Sequence, residues 1–270
     1  MNNLIKYSES KEFYPSLFET GLDYFDSMLG GGIPLNTGLV LAGQPGAGKS
    51  TLANQLASKM SDKGKKVLYV CGEEGADIIK GKFKRWNLSA ENVYFLNKNA
   101  TVDPRPDKYK LISNITVANI LDAVKEIKAD IVIVDSLQKL TVKGGDSASE
   151  NLEAIKLIYN HIQKTRSFTL LAIGQATKAG VMAGSNKIGH ELDGIMLLNK
   201  GIENHNNRVL ALQKYRFGSI DTVKQLVMNS NGISERKPWV EPVEEIEPVN
   251  EYLIDSILVR QQLKKQSSFF

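Results

Sequence analysis

Residues 38–60 read GLVLAGQPGAGKSTLANQLASKM, and this stretch decides how the rest of the chain is read. It opens with GLVLAG (38–43), a short apolar run ending in glycine, which predicts a buried strand. It closes with Leu52, Leu56 and Met60 four apart on one face of a helix predicted over 50–63, which stops near Gly64. The junction, GQPGAGKST (43–51), fits the pattern G-x-x-x-x-G-K-[ST] at Gly43, Gly48, Lys49 and Ser50, in the strand-then-helix context that gives the pattern meaning. The remaining loop positions are Gln44, Pro45, Gly46, Ala47 and Thr51. Glycines let the backbone wrap tightly, so that consecutive N–H groups converge on phosphate oxygens at a helix N-terminus. Lys49 is placed to reach the outer phosphates, and the Ser50 hydroxyl is a hard oxygen ligand suited to Mg²⁺. The ligand expected here is ATP with Mg²⁺.

Outward from this junction, strands and helices alternate. KKVLYVCG (65–72), VYFL (93–96), ADIVIVDS (129–136) and FTLLAIGQ (168–175) read as strands. Helices are predicted over 77–86, 115–128 and 149–165. The strands are near-continuous apolar runs, the mark of a parallel sheet covered by helices on both faces, so the fold class is α/β. After residue 192, DGIMLLNKG, NRVLALQKY and TVKQLVMN alternate with turns and predict an antiparallel extension of the sheet. The expected organisation is a polar arm over 1–14, a core over 15–232, a linker over 233–250 and an amphipathic tail over 251–270. The linker, RKPWVEPVEEIEPVNE, is rich in proline and glutamate. The tail carries Leu253, Ile254, Ile257, Leu258 and Leu263. It suits either a surface helix docked on its own core or one that docks on a neighbouring subunit or a protein partner.

The composition narrows the chemistry. Among 270 residues, 42% are hydrophobic and 24% charged, ordinary for a folded globular protein, with a net charge of +4. Cys71 is the sole cysteine and the three histidines are scattered, so an internal disulfide and a zinc finger are excluded. No apolar run reaches the length of a membrane helix and the N-terminus lacks a signal peptide's apolar core, so a cytoplasmic protein is expected.

Three further groups carry candidate chemistry. Asp135 closes the strand IVIVD, where a carboxylate can hold Mg²⁺ beside the phosphate loop. Glu73 and Glu74 follow the strand VLYVCG, at the end of the sheet where ligands bind. Either could orient and deprotonate an attacking water; Glu73 is the first choice and Glu74 a helper or the start of the next helix. Lys214 and Arg216 lie two apart on a predicted strand, which puts both cations on one face and calls for an anion between them. A γ-phosphate from a neighbouring subunit would serve, and so would a carboxylate of the same domain. The stretch 178–189 carries Lys178, Gly180, Gly184, Lys187 and Gly189 with no acidic residue before Glu191. It reads as a flexible loop whose lysines can meet DNA phosphates; without aromatic platforms it predicts backbone binding with little base preference.

The chain resembles the RecA-type ATPases over roughly residues 15–232. The features are TGLDYFDSMLGGGIP, LYVCGEEG, IVIVDSLQKL, IGQATKAGVMAG and KYRFG (214–218). The combination of TKAGVMAG with KYRFG is most like the bacterial RadA/Sms branch-migration proteins. That resemblance implies a loop of Thr177, Lys178, Gly180, Ala183 and Gly184 facing single-stranded DNA in the channel of a hexameric ring. It implies that Lys214 and Arg216 reach into the ATP site of the next subunit, and that Gln175 reports nucleotide state to the DNA loop. The four-cysteine zinc module and the Lon-like domain of those proteins have no counterpart here; Tyr215 replaces an asparagine, and Gln175 stands where they carry histidine. A reduced core of this kind suits a prokaryotic or phage-infected cell. The implied function is a DNA-dependent ATPase and helicase in recombination or repair; the alternatives are a filament-forming strand-exchange recombinase and a KaiC-like regulatory ATPase.

Overall fold

In a computed structural model of the chain, the structure describes residue 6 and residues 14–97, 115–144, 147–176, 186–201 and 204–236. The chain divides after Arg236 into two units, and everything described belongs to the first. The predicted tail over 251–270 and most of the predicted linker lie outside the described residues.

The frame is a nine-stranded sheet. Its parallel part consists of β3 (Gly38–Gly43), β4 (Val67–Cys71), β5 (Val93–Asn97), β7 (Ile131–Asp135), β9 (Thr169–Gln175) and β10 (Gly194–Lys200). The antiparallel part is β11 (Asn207–Tyr215), β12 (Val223–Asn229) and β13 (Gly232–Glu235), and the order across the sheet is β13-β12-β11-β10-β3-β9-β7-β4-β5. Two small pairs stand apart, β1 (Leu17–Phe18) with β2 (Ile33–Pro34) and β6 (Ile115–Thr116) with β8 (Leu140–Thr141).

Period-two alternation divides the apolar residues of the parallel strands between two cores. Leu39, Leu41, Ile131, Ile133, Leu171 and Ile173 pack with α1 (Asp23–Met28), α2 (Lys49–Asp62) and α3 (Ala76–Arg85). Val40, Ala42, Val132, Val134, Leu170 and Ala172 pack with α4 (Val117–Ile127) and α5 (Ala148–Thr165). Helices therefore cover both faces, which is why these strands read as unbroken apolar runs. Local signals set the helix starts. Thr116 and Asn119 form a reciprocal capping box on α4, and the Ser147 hydroxyl accepts from the Glu150 amide on α5.

Three boundaries differ from the sequence reading. The antiparallel extension starts one strand later than expected, because β10 runs parallel to β3 and only its other edge pairs antiparallel, with β11. A short helix, α6 (Asn186–Glu191), precedes β10 and occupies the end of the stretch predicted as a loop. The chain crosses from β9, on one side of β3, to β10 on the other, and such a crossover delivers a parallel strand. At the far edge, β13 extends through Glu235, three residues into the segment assigned to the linker. It is held to α2 by Gln55, whose side chain accepts from the Ile233 amide at 2.9 Å and donates to the Ile233 carbonyl at 3.0 Å.

Candidate nucleotide site

The phosphate loop leaves β3 at Gly43, wedged between β9 and β10. A Cβ at Gly43 would lie 2.1 Å from the Leu198 carbonyl oxygen, so no larger residue fits without parting β3 from β10. The loop turns through Gly46 (φ +72°) and Gly48 (φ +103°), backbone that L-residues rarely adopt, and α2 begins directly at Lys49. Lys49 folds its ammonium back onto the loop, donating to the carbonyls of Gly43 at 2.9 Å and Gln44 at 3.0 Å. Burial lowers its pKa, opposed by the charges of Asp135 and Glu73.

Asp135 ends β7 and is buried. Its Oδ2 accepts from the Tyr69 hydroxyl at 3.0 Å, and Ser50 hydrogen-bonds to the same carboxylate. Desolvation raises the Asp135 pKa, while the bonds from Ser50 and Tyr69 oppose the rise. Beyond β4, the amides of Gly72 and Glu73 both donate to the Asp135 carbonyl, at 2.6 and 3.1 Å. These bonds bring the ends of β4 and β7 together. Glu73 is thereby set at the site, where its Oε1 accepts from the Ser136 hydroxyl at 2.7 Å. Glu74 turns away and pairs with Lys82 of α3.

These groups line one cavity of about 300 Å³, with Lys49, Ser50, Thr51, Glu73, Asp135, Ser136 and Gln175 on its walls. It lies at the carboxyl ends of β3, β4, β7 and β9, where parallel sheets hold their ligands. Gln175 ends β9 directly beside Gly43, and the next amide, of Ala176, donates to the Gly43 carbonyl at 3.0 Å. The donor set fits a divalent hard cation. Ser50 and Asp135 present mutually bonded oxygens on the cavity wall, and among the described residues no cluster of three or more His, Cys, Asp or Glu side chains could hold a metal alone. Mg²⁺ would be held by Ser50 and Asp135 together with the oxygens of a bound nucleotide, and it would neutralise phosphate charge there.

Lys214 and Arg216 lie away from this cavity. Lys214 donates to the carbonyls of Gly189 (2.7 Å), His190 (3.3 Å) and Leu192 (2.7 Å), at the end of α6. Burial and the charge of Arg216 lower its pKa. Arg216 follows β11 in a turn, so strand alternation is not what unites the two; both reach the segment 189–193. The anion between them is Asp193, whose Oδ1 lies 3.0 Å from Arg216 Nη1. Tyr159 donates to the same Oδ1 at 2.7 Å. Lys178, Gly180 and Gly184 lie outside the described residues. Lys187 falls within α6.

The sequence reading missed four residues at the site. Tyr69 and Ser136 hold the two carboxylates. Lys200, at the end of β10, brings its Nζ to 3.2 Å from where a Cβ would sit on Gly46. Arg208 donates from Nε to the Ala47 carbonyl at 2.7 Å. A signal for Arg208 was present, since it shares a period-two face with Leu210 and Leu212, where an apolar residue belongs.

Among the described residues no helix is long and apolar enough to cross a membrane. The family model described as "ATPase: KaiC" matches residues 18–234. The DNA repair protein RadA of Mycobacterium tuberculosis is 30% identical over 217 residues, which is 79% of this chain and 42% of that protein. The DNA repair protein RadA of Chlamydia muridarum is 29% identical over 214 residues, 78% of this chain and 43% of that protein. The chain thus spans less than half the length of these relatives. The crystal structure of the KaiC-like protein PH0186 from Pyrococcus horikoshii superposes with a TM-score of 0.65 at 19% identity, covering 83% of this chain and 100% of that one, a likeness of fold. With a phosphate loop, a strand-end aspartate and a facing glutamate gathered at the head of a RecA-type sheet, the chain belongs to the KaiC family of ATPases.

Proposed function

We propose that this chain is the subunit of a ring, a hexamer, that hydrolyses ATP to move on single-stranded DNA during recombination or repair in the cytoplasm. The observation that carries the ATPase part is the convergence of Lys49, Ser50, Asp135, Glu73 and Gln175 on one cavity. The resemblance to proteins named for DNA repair supports the setting.

In this reading the loop amides and Lys49 bind and orient the phosphates. Lys49 exchanges its two loop carbonyls for phosphate oxygens, and its partly buried position strengthens that attraction. Glu73, aimed by Ser136, orients the attacking water and accepts its proton. Gln175, between Gly43 and the segment that follows β9, passes nucleotide state to Lys178, Gly180, Gly184 and Lys187, which grip the DNA backbone. Arg216 and Lys214 serve the site of the next subunit. Assembly must then draw the half-exposed Arg216 side chain from Asp193, the Tyr159 hydroxyl and the His190 carbonyl. The tail over 251–270 docks on a neighbouring subunit or a protein partner.

ATP hydrolysis measured with and without single-stranded DNA, beside particle imaging with a slowly hydrolysed ATP analogue, tests this reading. DNA-stimulated turnover and closed rings are expected. Helical filaments would replace the ring with a strand-exchange recombinase.

A further inference from the structure

β11 turns Arg208, Leu210 and Leu212 toward the core under α2. The leucines are at home there, whereas Arg208 is a cation only 6% exposed. Its Nε donates to the Ala47 carbonyl at 2.7 Å, its Nη1 to the carbonyls of His205 (2.6 Å) and Asn207 (2.8 Å), and its Nη2 faces the Met228 sulfur at 3.4 Å. Every partner is a carbonyl or a thioether. Among the described residues no carboxylate forms an ion pair with it. Burial disfavours its charge, yet a guanidinium does not give up its proton in a protein. Among the described residues, the charge therefore sits under the phosphate loop without a counter-ion.

The bond to Ala47 also has a geometric consequence. Across a trans peptide, the carbonyl and the following N–H point in opposite directions. Ala47 is fully buried and does not line the cavity, whereas Gly46 and Gly48 do. Holding the Ala47 carbonyl down toward Arg208 turns the Gly48 N–H the other way, to the phosphate side. We propose that Arg208 is a positioning residue for the nucleotide: it locks the peptide between Ala47 and Gly48 with its N–H toward the phosphates, and its buried charge takes the bound polyphosphate as its counter-ion.

The inference rests on the ATP reading above, and its test separates the two. ATP and ADP affinities are measured by titration of the full chain, with nucleotide-free melting temperatures alongside. Arg208→Gln keeps a donor for Ala47 but no charge; Arg208→Lys keeps the charge. The Gln variant is expected to weaken ATP roughly 10-fold and ADP less, while the Lys variant stays within about 3-fold of the unmodified chain for both. The two variants should melt at similar temperatures, which a purely structural role would not combine with unequal ATP binding. Equal ATP affinity in the Gln variant and the unmodified chain overturns the inference, and so does an equal loss in both variants. If the Gln variant does not fold, the Lys variant decides alone: an ATP-to-ADP affinity ratio equal to the unmodified chain's supports the charge role, and a fallen ratio overturns it. An unmodified chain that binds no ATP overturns the ATP reading as well.

Discussion

Arg216 Nη1 lies 3.0 Å from Oδ1 of Asp193 in its own chain, and the other oxygen of that carboxylate accepts from the Gly38 amide at 3.0 Å. Asp193 thereby ties the start of β3, Tyr159 of α5 and the turn after β11 to one point. The two partners are unequal, because the Asp193 side chain is 5% exposed and that of Arg216 is 46% exposed.

Asp193→Ala is expected to destabilise the chain by about 3 kcal/mol, since it strands the Gly38 amide and the Tyr159 hydroxyl in the interior. Arg216→Ala should cost under about 1 kcal/mol, because solvent screens a half-exposed partner. Urea denaturation of the two variants checks the contrast. Equal losses would mean that the ion pair, rather than the buried acceptor, holds this corner.

Arg216→Ala should nevertheless reduce ATP turnover by about 10³-fold with ATP binding retained, if it serves the adjoining subunit. Mixing it with Glu73→Gln subunits should restore part of the activity, since some interfaces then pair an intact glutamate with an intact arginine. Steady-state hydrolysis of the mixture reads this; no recovery would assign Arg216 to its own chain alone.

Glu73→Gln should lower turnover by about 10²-fold or more while ATP still binds, whereas Glu74→Gln should stay near the unmodified rate. The difference follows from placement: Glu73 lines the cavity and is aimed by Ser136, and Glu74 is committed to Lys82. Hydrolysis assays of both variants at saturating ATP test it.

Gly43→Ala should cost at least about 2 kcal/mol, because the added carbon would meet the Leu198 carbonyl oxygen at 2.1 Å and part β3 from β10. Thermal unfolding should show the loss. An unchanged melting temperature would mean the strands separate more easily than their packing indicates.

Cys71 should resist thiol reagents at pH 8 in the native chain and react fully once unfolded. It is 1% exposed, and burial followed by the Asp135 charge moves its pKa from 9.0 up to about 12, so that little thiolate forms. Counting reacted thiols with and without denaturant measures this.

The parallel sheet was legible because its strands are apolar on both faces, and the phosphate loop because glycine spacing, Lys49 and Ser50 sit between a strand and a helix. The choice between Glu73 and Glu74 was not legible, since it depends on Ser136, remote in sequence, and on Lys82, eight residues beyond Glu74. The partner of Arg216 was open for the same reason: Asp193 is brought to it by the pairing of β10 with β11. Arg208 was hidden by its strand, where an inward cation makes sense only once the Ala47 carbonyl it holds, 161 residues away, is seen beside it. The direction of β10 depended on a crossover around β3 that no local pattern reveals.

The most direct measurement is the steady-state rate of ATP hydrolysis by the unmodified chain, with and without saturating single-stranded DNA, with Lys49→Ala as the control. The account predicts turnover that rises when DNA is added and vanishes in the control. Turnover that DNA leaves unchanged across a range of salt would contradict the proposed motor.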